Sequence, residues 1–253
     1  MCRYGNNRSV SSVSNGTLII KPVRTIESVA ITSADLNIWG GDPSTACTNN
    51  FDYGCERQGG ANIINPITSA SLRTAEAFSF KYGRVEVVAQ LPRGDWLWPA
   101  IWMMPVNSAY GGWPVSGEID IMESRGNARG YIGGGVESIG STLHFGPYCC
   151  DDASSTTHAE YALPSGDFSS SFHTFGFFWN EIIMETYVDD TPVLSINITE
   201  NFFTRGGFPP GIDNPWSGGA MNAPFDQRFY LKINVAVGGT NGYFPDGVGG
   251  KPW

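Results

Sequence analysis

Three carboxylates fall close together in Trp113-Pro-Val-Ser-Gly-Glu-Ile-Asp-Ile-Met-Glu123. If this stretch is a strand, Ile119 and Ile121 point into a core, and Glu118 and Asp120 share the opposite face. Glu123 has the wrong parity for that face. One extra residue, a β-bulge at Ile121 or Met122, restores it and lines all three acids along one edge of a cleft. Like charges a few ångströms apart raise at least one pKa, leaving an acid that stays protonated near neutral pH. An ionised carboxylate beside a protonated one is what retaining glycoside hydrolysis requires, with the two groups about 5–5.5 Å apart. The competing reading is an edge strand whose carboxylates only discourage aggregation. Trp96, Trp98, Trp102 and Trp113 crowd the approach to the acids, and sugar C–H faces stack on such rings. The flanks therefore favour a carbohydrate cleft, with Trp96 and Trp98 left open between cleft and core.

The elements that must position these residues are strands. The chain has 253 residues, 32 of them glycine, with 13 % aromatic and only 15 % charged residues, a mix suited to a sheet-rich domain with many turns. Short β-rich runs recur between Gly, Pro, Asn and Asp clusters. In Arg84 to Leu91, Val85, Val87, Ala89 and Leu91 alternate with polar neighbours. Leu231, Ile233, Val235 and Val237 do the same against Lys232 and Asn234, and Phe175, Phe177 and Trp179 form another inward stripe. Thr142 and His144 share a face, with Leu143 and Phe145 behind. Helical periodicity is scarce. The expected fold is all-β: two packed antiparallel sheets in a single domain spanning 1–253.

A net charge of −9 and a sequence pI near 4.7 disfavour nucleic acid and sulfated polymers as partners. No apolar stretch is long enough to cross a bilayer as a helix. Three histidines without ligand-like spacing imply no catalytic metal. His173 reads as a satisfied strand-end residue and His158 as part of a Ser/Thr-rich loop. Five cysteines include Cys47 and Cys55, which a disulfide could staple across a short loop. With sequons at Asn7, Asn15 and Asn197, they favour a secreted protein.

The run Gly117-Glu118-Ile-Asp120-Ile-Met-Glu123 resembles the signature of glycoside hydrolase family 16 in its bulged form. Asn15-Gly-Thr-Leu-Ile-Ile-Lys21, Lys81-Tyr-Gly-Arg-Val-Glu-Val87, Trp98-Pro-Ala-Ile-Trp-Met-Met-Pro105, Ser141-Thr-Leu-His-Phe145 and Asn234-Val-Ala-Val-Gly-Gly-Thr-Asn-Gly-Tyr-Phe-Pro245 resemble its laminarinase branch. Trp39-Gly-Gly-Asp-Pro43 and Ala223-Pro-Phe-Asp-Gln227 resemble animal β-1,3-glucanases and the related β-1,3-glucan-recognition proteins. The resemblance implies a β-jelly-roll with a concave cleft and retaining endo-hydrolysis of β-1,3-glucan without a cofactor. By position it implies Glu118 as nucleophile, Asp120 as assisting acid and Glu123 as acid/base. It also implies Trp102 and Trp113 as rings near the cleaved sugar, and Arg84 and His144 as polar cleft contacts. Relatives begin earlier and continue further, so the domain is expected to be truncated at both ends. The alternatives are a non-catalytic glucan-recognition protein and a transglycosylase. A monomer is expected.

Overall fold

The alternating stripes become strands in the computed structural model, which describes residues 3–6, 8–24, 36–37, 55–57 and 65–253. Cys2, Asn7, Cys47 and the Trp39–Pro43 segment lie outside the described residues.

The first part of the chain supplies short strands: β1 (Arg3–Tyr4), β2 (Ser11–Ser14), β3 (Thr17–Ile20), β4 (Val23–Arg24), β5 (Leu36–Asn37), β6 (Glu56–Arg57), β7 (Ile67–Ser69) and β8 (Ser71–Arg73). The longer strands follow. They are β9 (Gly83–Ala89), β10 (Leu97–Pro105), β11 (Glu118–Ser124), β12 (Ser138–His144) and β13 (His158–Ala162). After them come β14 (His173–Trp179), β15 (Ile183–Val188), β16 (Thr191–Asn197) and β17 (Phe229–Val237).

Two antiparallel sheets form the sandwich. One has six strands in the order β13-β12-β11-β10-β17-β8, the other four in the order β16-β15-β14-β9. Their facing sides bury Ile101, Met103, Ile119, Ile121, Ile139 and Leu143 from the first sheet against Phe175, Phe177, Trp179, Met184, Val188 and Ile196 from the second. Each such side chain withdrawn from water contributes roughly 1.5–3 kcal/mol, so apolar alternation decides which face of each strand turns inward. The single α-helix among the described residues, α1 (Phe202–Gly206), is capped by Asn201, whose side chain accepts the Thr204 N–H. It tucks Phe202 against Phe145 and Phe225.

The expected β-jelly-roll sandwich is the architecture found, and the expected inward stripes on β9 and β14 pack on the core, as do Leu231 and Ile233 of β17. His158 does not lie in a loop. It opens β13, opposite Thr142, and Thr142 Oγ1 lies 2.9 Å from its Nδ1. His173 is the strand-end residue expected, 2.9 Å from Asp189. Cys55 is buried and disulfide-bonded; the proposed Cys47 partner lies outside the described residues.

The bulge sits where parity demanded it. Against β10, Trp102 opposes Asp120 while Ile101 opposes Met122. Against β12, Asp120 opposes Thr142 while Glu123 opposes Gly140. A bulge interrupts the ladder and leaves backbone groups to be satisfied some other way. Ser141 does this: it is wholly buried on the core side of β12 and donates its hydroxyl to the Ile121 carbonyl at 2.7 Å. That explains a serine in an otherwise apolar stripe. Ser141→Ala should strand the carbonyl and cost about 1–3 kcal/mol, read as a lower urea midpoint at unchanged m-value. An unchanged midpoint would show that the bulge does not need this bond.

Candidate active site

Because of the bulge, Glu118, Asp120 and Glu123 all project from the outer face of the six-stranded sheet. Across β10 and β12 their neighbours on that face are Trp102, Ala100, His144, Thr142 and Gly140. Beyond β10 come Lys232 and Asn234 of β17, opposite Trp102 and Ala100. Asp120 is buried, whereas Glu118 and Glu123 remain half-buried and open to the cleft.

Each glutamate is held by its own indole. Trp113 Nε1 donates to Glu118 Oε2 at 2.7 Å, and Trp98 Nε1 donates to Glu123 Oε1 at 2.8 Å. Trp113 remains 47 % exposed, so its ring is available to a ligand while its N–H is committed. Trp98 stacks on Tyr243 with centroids 3.8 Å apart and planes within 7°, and Arg125 lies 3.9 Å over the same tyrosine ring. This layered support fixes the indole that fixes Glu123. Trp102 donates to Asn234 Oδ1 at 2.6 Å and lies under the Lys232 ammonium at 3.8 Å.

His144 links the acids to the cleft wall. Its Nε2 is 3.0 Å from Asp120 Oδ2, and its Nδ1 is 2.6 Å from Asp152 Oδ2. Desolvation alone would lower its pKa, but Asp120 and Asp152 outweigh it and carry the imidazole to about 11. His144 is therefore a cation at neutral pH. Donor atoms of Glu118, Asp120 and His144 lie within 4.8 Å of one another, a spacing a metal ion could use. A protonated imidazole between two carboxylates has no lone pair to give such an ion, so the set does not fit one.

Burial pushes all three acids up. Glu118 rises to about 8, first by desolvation and then by the Asp120 charge. Asp120 rises to about 6 by desolvation and by Glu123, with His144 opposing. Glu123 is raised by desolvation and by Glu118, against the Trp98 hydrogen bond. On the far side, desolvation lowers Lys232 while Glu118 holds it up. The cluster can thus keep an ionised carboxylate and a protonated one side by side near neutral pH.

Of the residues read from the sequence, the structure brings together Glu118, Asp120, Glu123, Trp102, Trp113 and His144. It does not bring Arg84 to them. Arg84 lies on the outer face of the other sheet, donating to Tyr187 Oη and to Glu86 at 2.6 Å each. Alternation along β9 gave the correct outward direction but not the sheet to which the strand belongs. The arginine on the cleft sheet is Arg73 of β8, opposite Lys232. Trp98 belongs to the site, while Trp96 packs edge-on against Tyr131, Phe244 and Trp253. Asp152, Tyr243 and Arg125 carry no spacing signal and were not anticipated. Lys232 and Asn234 were legible as the outward positions of β17.

The sequence matches Glycosyl hydrolases family 16 over residues 48–214. It is 51 % identical over 256 residues to a beta-1,3-glucan-binding protein of Penaeus monodon, covering 99 % of this chain and 69 % of that protein. The chain belongs to this family. It is also 34 % identical to a glucan endo-1,3-beta-glucosidase of Cryptopygus antarcticus, over 86 % of this chain and 75 % of that one. Among solved structures, the catalytic domain of the Thermotoga petrophila endo-1,3-beta-glucanase superposes with a TM-score of 0.61 at 29 % identity, covering 91 % of this chain and 70 % of the other. In this family 16 chain, no helix among the described residues is long and apolar enough to cross a membrane.

The raised Glu118 pKa has a consequence for stability. Folding lifts this pKa from about 4.5 to about 8, so the folded state takes up a proton between those values. Its contribution to stability is present below the lower value and is lost as pH rises through the upper. Glu118→Gln does not titrate and keeps an oxygen for the Trp113 N–H. The variant should match the parent near pH 5 and exceed it by about 2 kcal/mol at pH 9, on the order of 5 °C in Tm. A difference independent of pH in thermal unfolding would refute the burial of a raised Glu118.

Proposed function

We propose that this domain, residues 1–253, is a retaining endo-hydrolase of β-1,3-glucans. The observation that carries this is the bulged strand, with two indole-anchored glutamates flanking a buried aspartate. Glu118, ionised, attacks the anomeric carbon and forms a covalent glycosyl-enzyme. Glu123, protonated, gives its proton to the departing glycosidic oxygen, and as a carboxylate it then takes a proton from the water that releases the sugar. The couplings favour this division. Burial raises both glutamates, and the His144 cation and the Trp113 N–H favour the ionised form of Glu118. Once Glu118 is ionised, its charge raises Glu123 further, so the remaining proton stays on Glu123. Asp120 hydrogen-bonds Glu118 and tunes its charge, with His144 neutralising the pair. Trp102 and Trp113 offer rings to the sugars flanking the cleaved bond, and no cofactor or metal takes part.

The Thermotoga petrophila, Cryptopygus antarcticus and Niallia circulans proteins, all named as 1,3-β-glucanases or glucosidases, support the β-1,3 linkage. The name of the Penaeus monodon relative favours a second reading, a glucan-recognition protein that binds without cleaving. Both readings take neutral β-glucan as ligand. Exposed sequons at Asn15 and Asn197 and the bonded Cys55 support a secreted, glycosylated, disulfide-containing protein.

Reducing-end release from laminarin separates the readings. The parent should release ends, and Glu118→Gln should lose turnover by at least about a thousandfold while still binding laminarin. Binding without release by the parent would assign the chain to recognition, and full activity in the variant would remove Glu118 as nucleophile. Glu123→Ala should lose far less on aryl glucosides with good leaving groups and should yield a glycosyl azide when azide is added. Equal loss on every substrate, with no azide product, would deny Glu123 the acid/base role.

A further inference from the structure

The loop that carries Asp152 bears a pair of groups that glycoside hydrolysis leaves unused. Loop 146–152 follows β12, and its base is pinned. Ala153 N–H donates to the Phe145 carbonyl at 2.8 Å, and Phe145 N–H donates to Asp152 Oδ1 at 3.3 Å. Gly146 approaches the Asp151 carbonyl so closely that a Cβ would lie 1.7 Å from its oxygen. At the tip, Cys149 and Cys150 are both free and exposed, and Cys150 Sγ lies 3.7 Å from Cys149 Sγ. Cys150 has φ 72°, a left-handed conformation unusual for a side-chain-bearing residue. Two residues later comes Asp152, which grips His144 at 2.6 Å.

A solitary exposed thiol that meets a small disulfide ends as a mixed disulfide. A thiol with a second one beside it does not, because the neighbour attacks the new bond. We propose that Cys149 and Cys150 form a vicinal dithiol site for low-molecular-weight disulfides, and that its closure alters the hold of Asp152 on His144. Cys149, which accepts the Cys150 S–H, reacts first: its thiolate attacks one sulfur of R–S–S–R and expels RS⁻. The Cys150 thiolate then attacks the Cys149 sulfur, forms the Cys149–Cys150 bond and expels the second RS⁻. The two cysteines lose two protons and two electrons, and the small disulfide becomes two thiols. Neighbouring Cα atoms are about 3.8 Å apart, whereas ordinary cross-links span roughly 4.4–6.8 Å. Closing this bond therefore rearranges the intervening peptide. The adjustment is passed through Asp151 to Asp152, whose carboxylate divides itself between His144 and the Phe145 and Ser154 donors, and the Asp152 contribution to the raised His144 pKa weakens.

The test uses the whole chain and oxidised glutathione, and none of its readouts depends on glucan turnover. Peptide mapping should find the Cys149–Cys150 peptide lighter by two hydrogens, without a glutathione adduct, and restored by dithiothreitol. Cys149→Ser should instead keep a stable adduct on Cys150. Nitrogen NMR should show the His144 pKa falling by about one unit or more on oxidation, with no change in the Cys149→Ser/Cys150→Ser protein. A stable adduct on the parent peptide, or no reaction, would overturn the dithiol site. Ring closure with an unmoved His144 titration would overturn its link to the cleft.

Discussion

From Asp120 to Glu123, β11 advances three residues while β12 advances two. Without the extra residue Glu123 would turn into the sandwich among Ile101, Ile121 and Leu143, where an unpaired carboxylate costs several kcal/mol. With it, three acids share the cleft face, and Ile121 and Met122 both stay buried. The bulge in turn depends on the core side of the neighbouring strand, since the Ser141 hydroxyl answers the displaced carbonyl. The Trp98 hydrogen bond to Glu123 presupposes this displacement, whereas Glu118 and Asp120 reach Trp113 and His144 by the ordinary alternation of the strand.

Three acids gathered on a partly dehydrated face would repel one another and destabilise the fold if nothing opposed them. The opposition comes from close by. His144 is held charged between Asp120 and Asp152, and the two indole N–H groups each engage one glutamate. Lys232, although desolvated, sits over Trp102 on the next strand but one. These groups reduce the cost of burial without abolishing it, which is why the acids stay raised. The same compromise fixes the chemistry: a cluster fully neutralised by cations would ionise at low pH and keep no proton to donate. Tyr243 and Arg125 add a mechanical contribution, because the stack behind Trp98 limits how far Glu123 can drift.

Most of this was legible where alternation and local spacing carry the signal. Ile119 and Ile121 mark the inward face of β11, the parity of Glu123 demands a bulge, and Thr142 with His144 marks the outward face of β12. What was not legible depends on pairing between distant strands. Arg84 has the outward parity of a cleft residue, yet β9 pairs with β14 in the opposite sheet, and no local pattern encodes that choice. His158 looked like loop because Ser154–Thr157 precede it, but five residues of pairing with β12 make it a strand opening. Asp152 reaches His144 from a loop whose conformation is set by Gly146 and by backbone bonds to Phe145. Tyr243 meets Trp98 across 145 positions of sequence, a proximity that only the closed sandwich creates.

Cleaving and merely binding glucan make different energetic demands on the cleft. A neutral polysaccharide is held by ring faces and by hydrogen bonds to hydroxyls, and rings such as that of the exposed Trp113 could hold it without any buried acid. Keeping Glu118, Asp120 and Glu123 raised means accepting lost stability at neutral pH. Two arginine- and tyrosine-supported layers behind Trp98 serve no obvious purpose in binding alone, because they fix an indole whose N–H points at Glu123 and not at the open cleft. The proposed hydrolysis makes the cost intelligible, because charge then moves between two carboxyls and a firmly held, hard-to-ionise pair lowers the barrier. A recognition surface descended from the same sandwich could relax each of these contacts and retain its affinity. In this chain all of them are in place.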